Sequence, residues 1–192
     1  TAIARAHADR ARQGWRVIAS EWSPPEGEDS RPALLVDSEP MPLIGKIDRI
    51  EIHESGRRLA VFDYKTSTQP LTPERAHRSA GNWRDLQLPL YRELMRGSRA
   101  SFDDPAASGI DLDDPDAIEL GYAALPRDVS KTGFSVADWS ADDLREALEC
   151  AETIVRRVRR REFFVAGDRP PDSGAIAALL RVGPVARAEE AL

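Results

Sequence analysis

The fold is decided by two β-rich runs, Leu43-Ile44-Gly45-Lys46-Ile47-Asp48-Arg49-Ile50-Glu51-Ile52-His53 and Leu59-Ala60-Val61-Phe62-Asp63-Tyr64-Lys65-Thr66, on either side of a turn at Glu54-Ser55-Gly56-Arg57. A Ser-Gly pair between two such runs predicts a β-hairpin whose two-residue loop is Ser55 and Gly56. In this register Ile52 lies across from Leu59, Ile50 across from Val61, and Asp48 across from Asp63. The two aspartates therefore become direct neighbours.

The opposed pair Asp48 and Asp63 needs a chemical reason. Side chains alternate along a strand, so both aspartates share a face with Lys65. Like charges directly opposed destabilise a sheet, and a divalent cation such as Mg²⁺ offsets the repulsion because it binds carboxylates, carbonyls and water. Two acids and a lysine around a metal suit phosphodiester hydrolysis. The same register sets Lys46 across from Lys65, which is unfavourable unless the strands splay there or both lysines face phosphate.

Three motifs follow one another along the chain: Gly45-Lys46-Ile47-Asp48-Arg49-Ile50, Asp63-Tyr64-Lys65-Thr66 and Gln87-Leu88-Pro89-Leu90-Tyr91. In this order they resemble the PD-(D/E)XK nuclease superfamily, and most closely the RecB-like nuclease domain of AddB-type helicase-nuclease subunits and Cas4-like proteins. The resemblance implies an α/β fold of the restriction-endonuclease-like kind, with a mixed central sheet flanked by helices. It further implies metal-dependent, exonuclease-like hydrolysis of DNA in repair and recombination, beside a helicase domain or subunit.

The resemblance also implies roles for individual residues. Asp48, Asp63 and the backbone carbonyl of Tyr64 would hold one or two Mg²⁺ or Mn²⁺ ions. Lys65 would position the attacking water or neutralise charge in the transition state. These residues form the predicted catalytic centre.

Three further residues are supporting candidates. Gln87 and Tyr91 are four positions apart on one face of a predicted helix, where the resemblance places them near the metal or the DNA backbone. Alone, such a pair is more typical of a helix–sheet interface, but the upstream motifs favour the site. Glu21, on the preceding strand, either supports the site or pairs with a nearby arginine.

Histidine is the residue for which the resemblance is incomplete. RecB-like nucleases carry an upstream histidine on a helix, and His7 is the only histidine on a predicted N-terminal helix here. The family's motif normally lies farther upstream, so a histidine helix preceding Thr1 is the favoured alternative. His53, beside the turn, and His77, in a loop, are expected to be solvated.

Composition bounds the class of protein. The 192 residues are 41% hydrophobic and 31% charged, which predicts one globular domain over residues 1–192, with a disordered tail at 183–192. No apolar run approaches the roughly 18 residues of a membrane span. The chain starts without methionine or a signal-peptide pattern, so we expect it to be the C-terminal part of a longer cytoplasmic protein. The single cysteine, Cys150, excludes an internal disulfide and a four-cysteine iron–sulfur cluster held by this chain alone.

Charge is unevenly distributed. The net charge of −6 is unusual for a nucleic-acid-binding protein, but much of it lies in an acidic segment, residues 97–117, which we interpret as a surface insertion. At the other extreme, five arginines fall between Arg156 and Arg161. They either complement the C-terminal end of a helix or contact phosphate.

Periodicity and end signals predict the remaining elements. Helices are expected at 1–13, at 83–96 with a kink at Pro89, and from a capping box at Ser140-Ala141-Asp142-Asp143 to about Arg161. Strands are expected at 15–22, 33–36 and 118–125. A mobile loop with a helix start at Thr72-Pro73 follows Thr66. After the long helix, residues 163–165 are expected to return to the core and 173–181 to form a short helix.

Two alternatives to a nuclease stay open. The first is a nuclease-derived domain that is inactive and binds DNA or a partner subunit as a scaffold. The second is an unrelated metal-binding α/β domain, which the three ordered motifs disfavour. The sequence has no phosphate-binding loop of the G-x-x-x-x-G-K-[ST] type, no G-x-S-x-G elbow and no cysteine pair, so ATPase motors, α/β-hydrolases and cysteine zinc sites are poorly supported.

Overall fold

The structure, a computed structural model, describes residues 1–25, 31–98, 102 and 104–162. The chain divides into two units, Thr1–Arg156 and Arg157–Leu192. The first unit holds the strands of the described part and all the candidate site residues. Of the second unit the structure describes residues 157–162, of which 157–159 are helical. The predictions for 163–165, for the helix at 173–181 and for the tail lie outside the described residues.

The elements agree with most of the predicted ones. In chain order they are α1 (Ala2–Arg12), β1 (Trp15–Trp22), β2 (Ala33–Val36), β3 (Glu39–Pro42), β4 (Ile47–His53), β5 (Leu59–Lys65), α2 (Pro73–His77), β6 (Arg78–Ser79), β7 (Asn82–Trp83), α3 (Gln87–Arg96), α4 (Pro105–Ser108), β8 (Ile118–Ala124), β9 (Gly133–Val136) and α5 (Ala141–Arg159). The strands β3, β6, β7 and β9 were not predicted. None of the described helices combines the length and the apolarity that crossing a membrane requires.

A five-stranded sheet in the order β1-β4-β5-β8-β9 forms the centre of the fold. Only β5 and β8 are parallel, and the other neighbours are antiparallel. Successive residues of β5 point to opposite faces: Phe62 lies under Arg10 of α1, and Asp63 faces Gln87 of α3. The sheet therefore has an α1 face and an α3 face, which confirms the predicted mixed α/β architecture flanked by helices.

The register of the central hairpin is confirmed from Ile52 opposite Leu59 to Ile50 opposite Val61, but the predicted direct pairing of Asp48 with Asp63 is not part of the ladder. The loop is longer than predicted, because the His53 N–H donates to the Arg58 carbonyl at 2.9 Å and leaves residues 54–57 between that pair. Since two residues were added symmetrically, the register is unaffected.

The open end of the hairpin splays. Regular pairing between β4 and β5 stops at Arg49 and Phe62. Beyond that pair, the Asp48 carboxylate accepts the backbone N–H of Tyr64 at 2.8 Å. Lys46 forms an ion pair with Glu21, so the unfavourable Lys46–Lys65 pairing does not arise.

The third helix begins later than predicted, at Gln87 instead of Trp83, which belongs to β7. Pro89 consequently lies in the first turn, where a backbone N–H has no helical partner to lose. The expected kink at Pro89 was therefore wrong in its physical premise. Gln87 and Tyr91 still fall on one face of the helix, as predicted.

The described part of the acidic segment, residues 104–117, is not a surface insertion. Ile110 and Leu112 are 3% and 1% exposed and belong to the main core. The aspartates of this segment make local interactions. Asp104 accepts the Ala106 N–H at the start of α4, and Asp113 forms an ion pair with Arg96 at 2.6 Å. Aspartates that cap turns resemble solvated charge in a sequence, which explains the wrong prediction.

The capping box of α5 is confirmed. The Ser140 hydroxyl accepts the Asp143 N–H at 3.2 Å, and the Asp143 carboxylate accepts the Ser140 N–H at 2.9 Å. Along the apolar stripe of α5, Leu144 and Ala151 are buried, whereas Ile154 is 41% exposed. The stripe therefore packs on the core mainly through its first half.

The arginines that end α5 have carboxylate partners. Arg156 pairs with Asp37 at 3.0 Å and with Glu152 at 2.9 Å. Within the second unit, Arg160 lies 3.8 Å from Glu162. These pairs account for part of the cluster without invoking phosphate.

Candidate active site

Three predicted site residues converge on Asp63 at the end of β5. Its Oδ1 accepts hydrogen bonds from Gln87 Nε2 at 2.9 Å and from the Tyr91 hydroxyl at 3.4 Å. Its Oδ2 lies 2.7 Å from the Lys65 ammonium. The Asp63 side chain is 9% exposed, so this carboxylate is held in one orientation by partners from β5 and α3.

Gln87 contacts both the carboxylate of Asp63 and the ammonium of Lys65. Its amide nitrogen also donates to the Tyr91 hydroxyl at 3.0 Å, and its amide oxygen accepts from the Lys65 ammonium at 3.3 Å. The backbone N–H of Gln87 donates to the Asp85 carboxylate at 2.8 Å, which fixes the start of α3. One glutamine therefore positions both charged groups, a role that a helix–sheet interface alone does not need.

Asp48 lies beside this cluster without joining its hydrogen bonds directly. Its carboxylate holds the N–H of Tyr64, the peptide that follows Asp63. Asp48 is half-buried, because β4 and β5 splay where the site begins. The structure thus brings together Asp48, Asp63, Tyr64 and Lys65, as the sequence predicted.

The two residues beneath Lys65, which are Tyr122 and His77, were not predicted from the sequence. The Lys65 ammonium lies 4.8 Å from the centre of the Tyr122 ring, and Tyr122 neighbours Asp63 in the parallel pairing of β5 and β8. The Tyr122 hydroxyl is 2.6 Å from Nε2 of His77, whose Nδ1 is 2.9 Å from the Asp85 carbonyl. Because a carbonyl only accepts, Nδ1 carries the proton and Nε2 accepts from Tyr122.

His77 contradicts the expectation that it is solvated, since it is fully buried. No local sequence pattern predicts the burial of His77, because its partner Tyr122 is 45 positions away. Burial lowers the pKa of His77, and the Asp85 carbonyl opposes that change. A neutral imidazole suits its single-acceptor role toward Tyr122.

The phenols near Asp63 are neutral donors. Burial, and then the charge of Asp63, raise the pKa of Tyr91 to about 12. Burial also raises the pKa of Tyr122. Neither tyrosine is therefore a base near neutral pH. The charges of the cluster are those of Asp48, Asp63 and Lys65, two negative and one positive.

Two supporting candidates lie apart from Asp63. Glu21 is exposed and pairs with Lys46, not with an arginine. His7 is on α1, with a ring nitrogen 3.3 Å from Arg49, and therefore lies at the α1 face of the sheet, opposite to Asp63. Burial, and then the charge of Arg49, lower the pKa of His7.

The donor set fits a hard divalent cation. Among the described residues, no group of three or more histidine, cysteine, aspartate or glutamate side chains is arranged to hold a metal. Asp48, Asp63 and the Tyr64 carbonyl supply oxygen atoms only. Mg²⁺ is commonly bound through one or two carboxylates and completes its shell with waters and substrate phosphates. Zinc sites of proteins typically need more nitrogen and sulfur ligands.

The chain was compared with sequence models of protein families. A sequence model of the PD-(D/E)XK nuclease superfamily matches residues 1–170, a range that includes every candidate site residue named above. The five-stranded mixed sheet flanked by helices is consistent with the restriction-endonuclease-like fold of that superfamily. No curated protein matches the chain.

Proposed function

The chain belongs to the PD-(D/E)XK nuclease superfamily, and from that premise we propose that it is a metal-dependent DNA nuclease whose centre is Asp48, Asp63 and Lys65. The observation that carries the proposal is the convergence of Lys65, Gln87 and Tyr91 on the carboxylate of Asp63. A buried acid held by a lysine and two neutral donors is arranged for a task at its oxygens, not for core packing.

We propose Mg²⁺ or Mn²⁺ as the cofactor, held by Asp48, Asp63 and the Tyr64 carbonyl. A bound divalent ion lowers the pKa of a water and stabilises the charge that develops on phosphate. The excess of one negative charge in the cluster favours a cation there.

The chain's own residues orient the reaction. Lys65, 2.7 Å from Asp63 and about one third exposed, is the cation that can approach a phosphate oxygen of the substrate and offset its negative charge. Gln87 restricts both Asp63 and Lys65 through the two ends of its amide. Tyr91 stays protonated and donates to Asp63. Such preorganisation removes reorganisation from the chemical step.

The finer assignment is a RecB/AddB-type, exonuclease-like activity in repair and recombination, next to a helicase domain or subunit. The ordered motifs around Asp48, Asp63 and Gln87 support this subtype. The competing function is an inactive, nuclease-derived scaffold that binds DNA or a partner. The intact acids and Lys65 favour the enzyme.

Metal binding and DNA degradation together test the proposal. Calorimetry with Mg²⁺ and Mn²⁺ is run on the chain, on Asp63→Ala and on the matched variant Asp9→Ala, which removes an exposed aspartate paired with Arg12 on α1. We expect the chain and Asp9→Ala to bind metal and degrade linear DNA, and Asp63→Ala to lose both.

Other outcomes have distinct meanings. Metal binding by the chain without DNA degradation favours the scaffold. Resistance of closed circular DNA, with degradation of linear DNA, supports the exonuclease-like assignment, and equal cutting of both contradicts it.

A further inference from the structure

An open hollow of about 330 Å³ lies beside the catalytic cluster. Its walls are the segment Leu43, Ile44, Gly45 and Lys46, which precedes β4, and the α3 residues Gln87, Leu90, Tyr91 and Leu94. Gln87 and Tyr91 therefore belong both to this wall and to the hydrogen-bond partners of Asp63. Any group in the hollow is adjacent to the reacting centre.

The apolar part of the hollow is unusually accessible. Ile44 is 88% exposed, although its neighbours Leu43 and Leu90 are half-buried. Gly45 allows this close approach to α3, because a Cβ there would be 3.1 Å from Leu94 Cδ2, and that side chain would have to shift by a few tenths of an ångström. The chain thus presents an isoleucine over a leucine-lined floor at the edge of a hydrolytic centre.

Lys46 supplies a positive charge at the same rim. Its side chain is 56% exposed and pairs with Glu21, which is 59% exposed. An exposed ion pair contributes little to stability, because water screens both charges. Lys46 can therefore exchange Glu21 for a phosphate with little loss of stability.

We propose that this hollow binds one unpaired nucleotide of a DNA strand next to the scissile phosphate. The base packs on Ile44 and Leu90, and its phosphate approaches Lys46. This inference rests on the proposed nuclease function and extends it to a substrate class, single-stranded DNA or the frayed end of a duplex.

The chemistry favours an unpaired base over a paired one. Inside a duplex, both faces of a base are stacked, so Ile44 could reach a face only after unstacking, which costs a few kcal/mol. In a single strand the face is already accessible. Apolar side chains are known to insert at base steps, and contacts with base faces tolerate any sequence.

Binding without cleavage tests this directly. Fluorescence anisotropy of labelled single-stranded and blunt duplex oligonucleotides is measured in EDTA with the chain, with Ile44→Ala and with Val129→Ala. Val129 is a matched control because it is also an exposed branched apolar residue, at 66%. We expect Ile44→Ala to weaken single-strand binding about tenfold and duplex binding much less, and Val129→Ala to change neither. Equal losses for the two DNA forms, or no loss, overturn the proposal.

Salt dependence tests the phosphate contact separately. Lys46→Gln is expected to reduce the slope of log affinity against log salt by about 0.7 for single-stranded DNA, and an unchanged slope overturns this part. The two failures are distinguishable. If DNA is not cleaved but Ile44 still determines single-strand binding, the nuclease function fails and the nucleotide site stands. If DNA is cleaved and Ile44 has no effect, the reverse holds.

Discussion

On the α1 face of the sheet, the fully buried Glu51 accepts hydrogen bonds from Arg10 at 2.6 Å and from Arg49 at 2.8 Å, whereas Asp63 on the α3 face has one cation, Lys65, and two neutral donors. Glu119 extends the first network by pairing with Arg10 at 3.0 Å and Arg58 at 2.6 Å. The α1 face therefore combines three arginines with two glutamates, and the α3 face combines two aspartates with one lysine.

The comparison separates charges that stabilise the fold, on the α1 face, from charges that we assign to the proposed reaction, on the α3 face. The α1 network carries one surplus positive charge, and the α3 cluster one surplus negative charge. Two neighbouring groups agree with this sign. Burial, and then Arg49, lower the pKa of His7 on the α1 face, whereas burial, and then Asp63, raise the pKa of Tyr91 on the α3 face. A surplus carboxylate on the α3 face supports the proposed cation site.

The largest effect on stability is expected at the α1 face. Glu51→Ala leaves the buried Arg49 without its anion and Arg10 with Glu119 alone, and breaking a buried ion pair in this way typically costs about 3–5 kcal/mol. Urea unfolding measures the loss, with Glu146→Ala as an exposed control that changes stability by less than about 1 kcal/mol. If Glu51→Ala is as mild as the control, the two faces do not differ in the way described.

A catalytic effect is expected at Lys65. Lys65→Met removes the one cation of the α3 cluster, and we expect kcat for DNA degradation to fall about 10²- to 10³-fold, as when a transition-state donor is lost. The accompanying loss of stability should be smaller with Mg²⁺ than with EDTA, since a bound cation then offsets Asp63. If the variant retains the kcat of the parent chain, Lys65 contributes to stability and not to the reaction.

A smaller effect is expected at Tyr122, which lies beneath Lys65. Tyr122→Phe keeps the ring under Lys65 but leaves Nε2 of the buried His77 without its donor. An unsatisfied buried acceptor costs about 1–3 kcal/mol, which thermal unfolding can measure, while kcat should change far less than in Lys65→Met. An equal fall in kcat would mean that the hydroxyl acts on the reaction itself.

The smallest effect concerns pH. The pKa of His7 in the folded chain lies below its ordinary value of 6.5, so the unfolded chain binds the proton first. The stabilising contribution is fully present above about pH 6.5 and is lost as the pH falls through the lowered pKa. Denaturant midpoints at a series of pH values should drop less steeply below 6.5 in His7→Gln. An unchanged slope would contradict the assigned environment of His7.

The sequence predicted those parts of the site that depend on short-range patterns. The Ser55-Gly56 turn signal predicted the register of Ile50 and Ile52 in the hairpin, and the i, i+4 spacing placed Gln87 beside Tyr91. The splay at Asp48 was foreseen only as a condition, through the clash of Lys46 with Lys65.

What escaped prediction depends on distant partners. Arg10 and Glu51 are 41 positions apart, and His77 and Tyr122 are 45 apart, so nothing in either neighbourhood specifies the pairing. Residue type was also a poor guide to the acidic segment, because aspartate occurs both at turn caps and on solvated surfaces. The aspartates that cap turns near Asp104 and Asp114 were indistinguishable from solvated charge, and they concealed a segment whose Ile110 is buried.

All three candidate metal ligands, Asp48, Asp63 and the Tyr64 carbonyl, lie on one hairpin, and Asp48 and Tyr64 are only 16 positions apart. Hairpins form within about 1–10 μs, whereas the parallel pairing that brings Tyr122 alongside must close a much longer loop. The two carboxylates therefore meet, and repel each other, early in folding. A divalent cation present at that moment would relieve the repulsion, so the ion that we propose for hydrolysis would also favour an early step of folding.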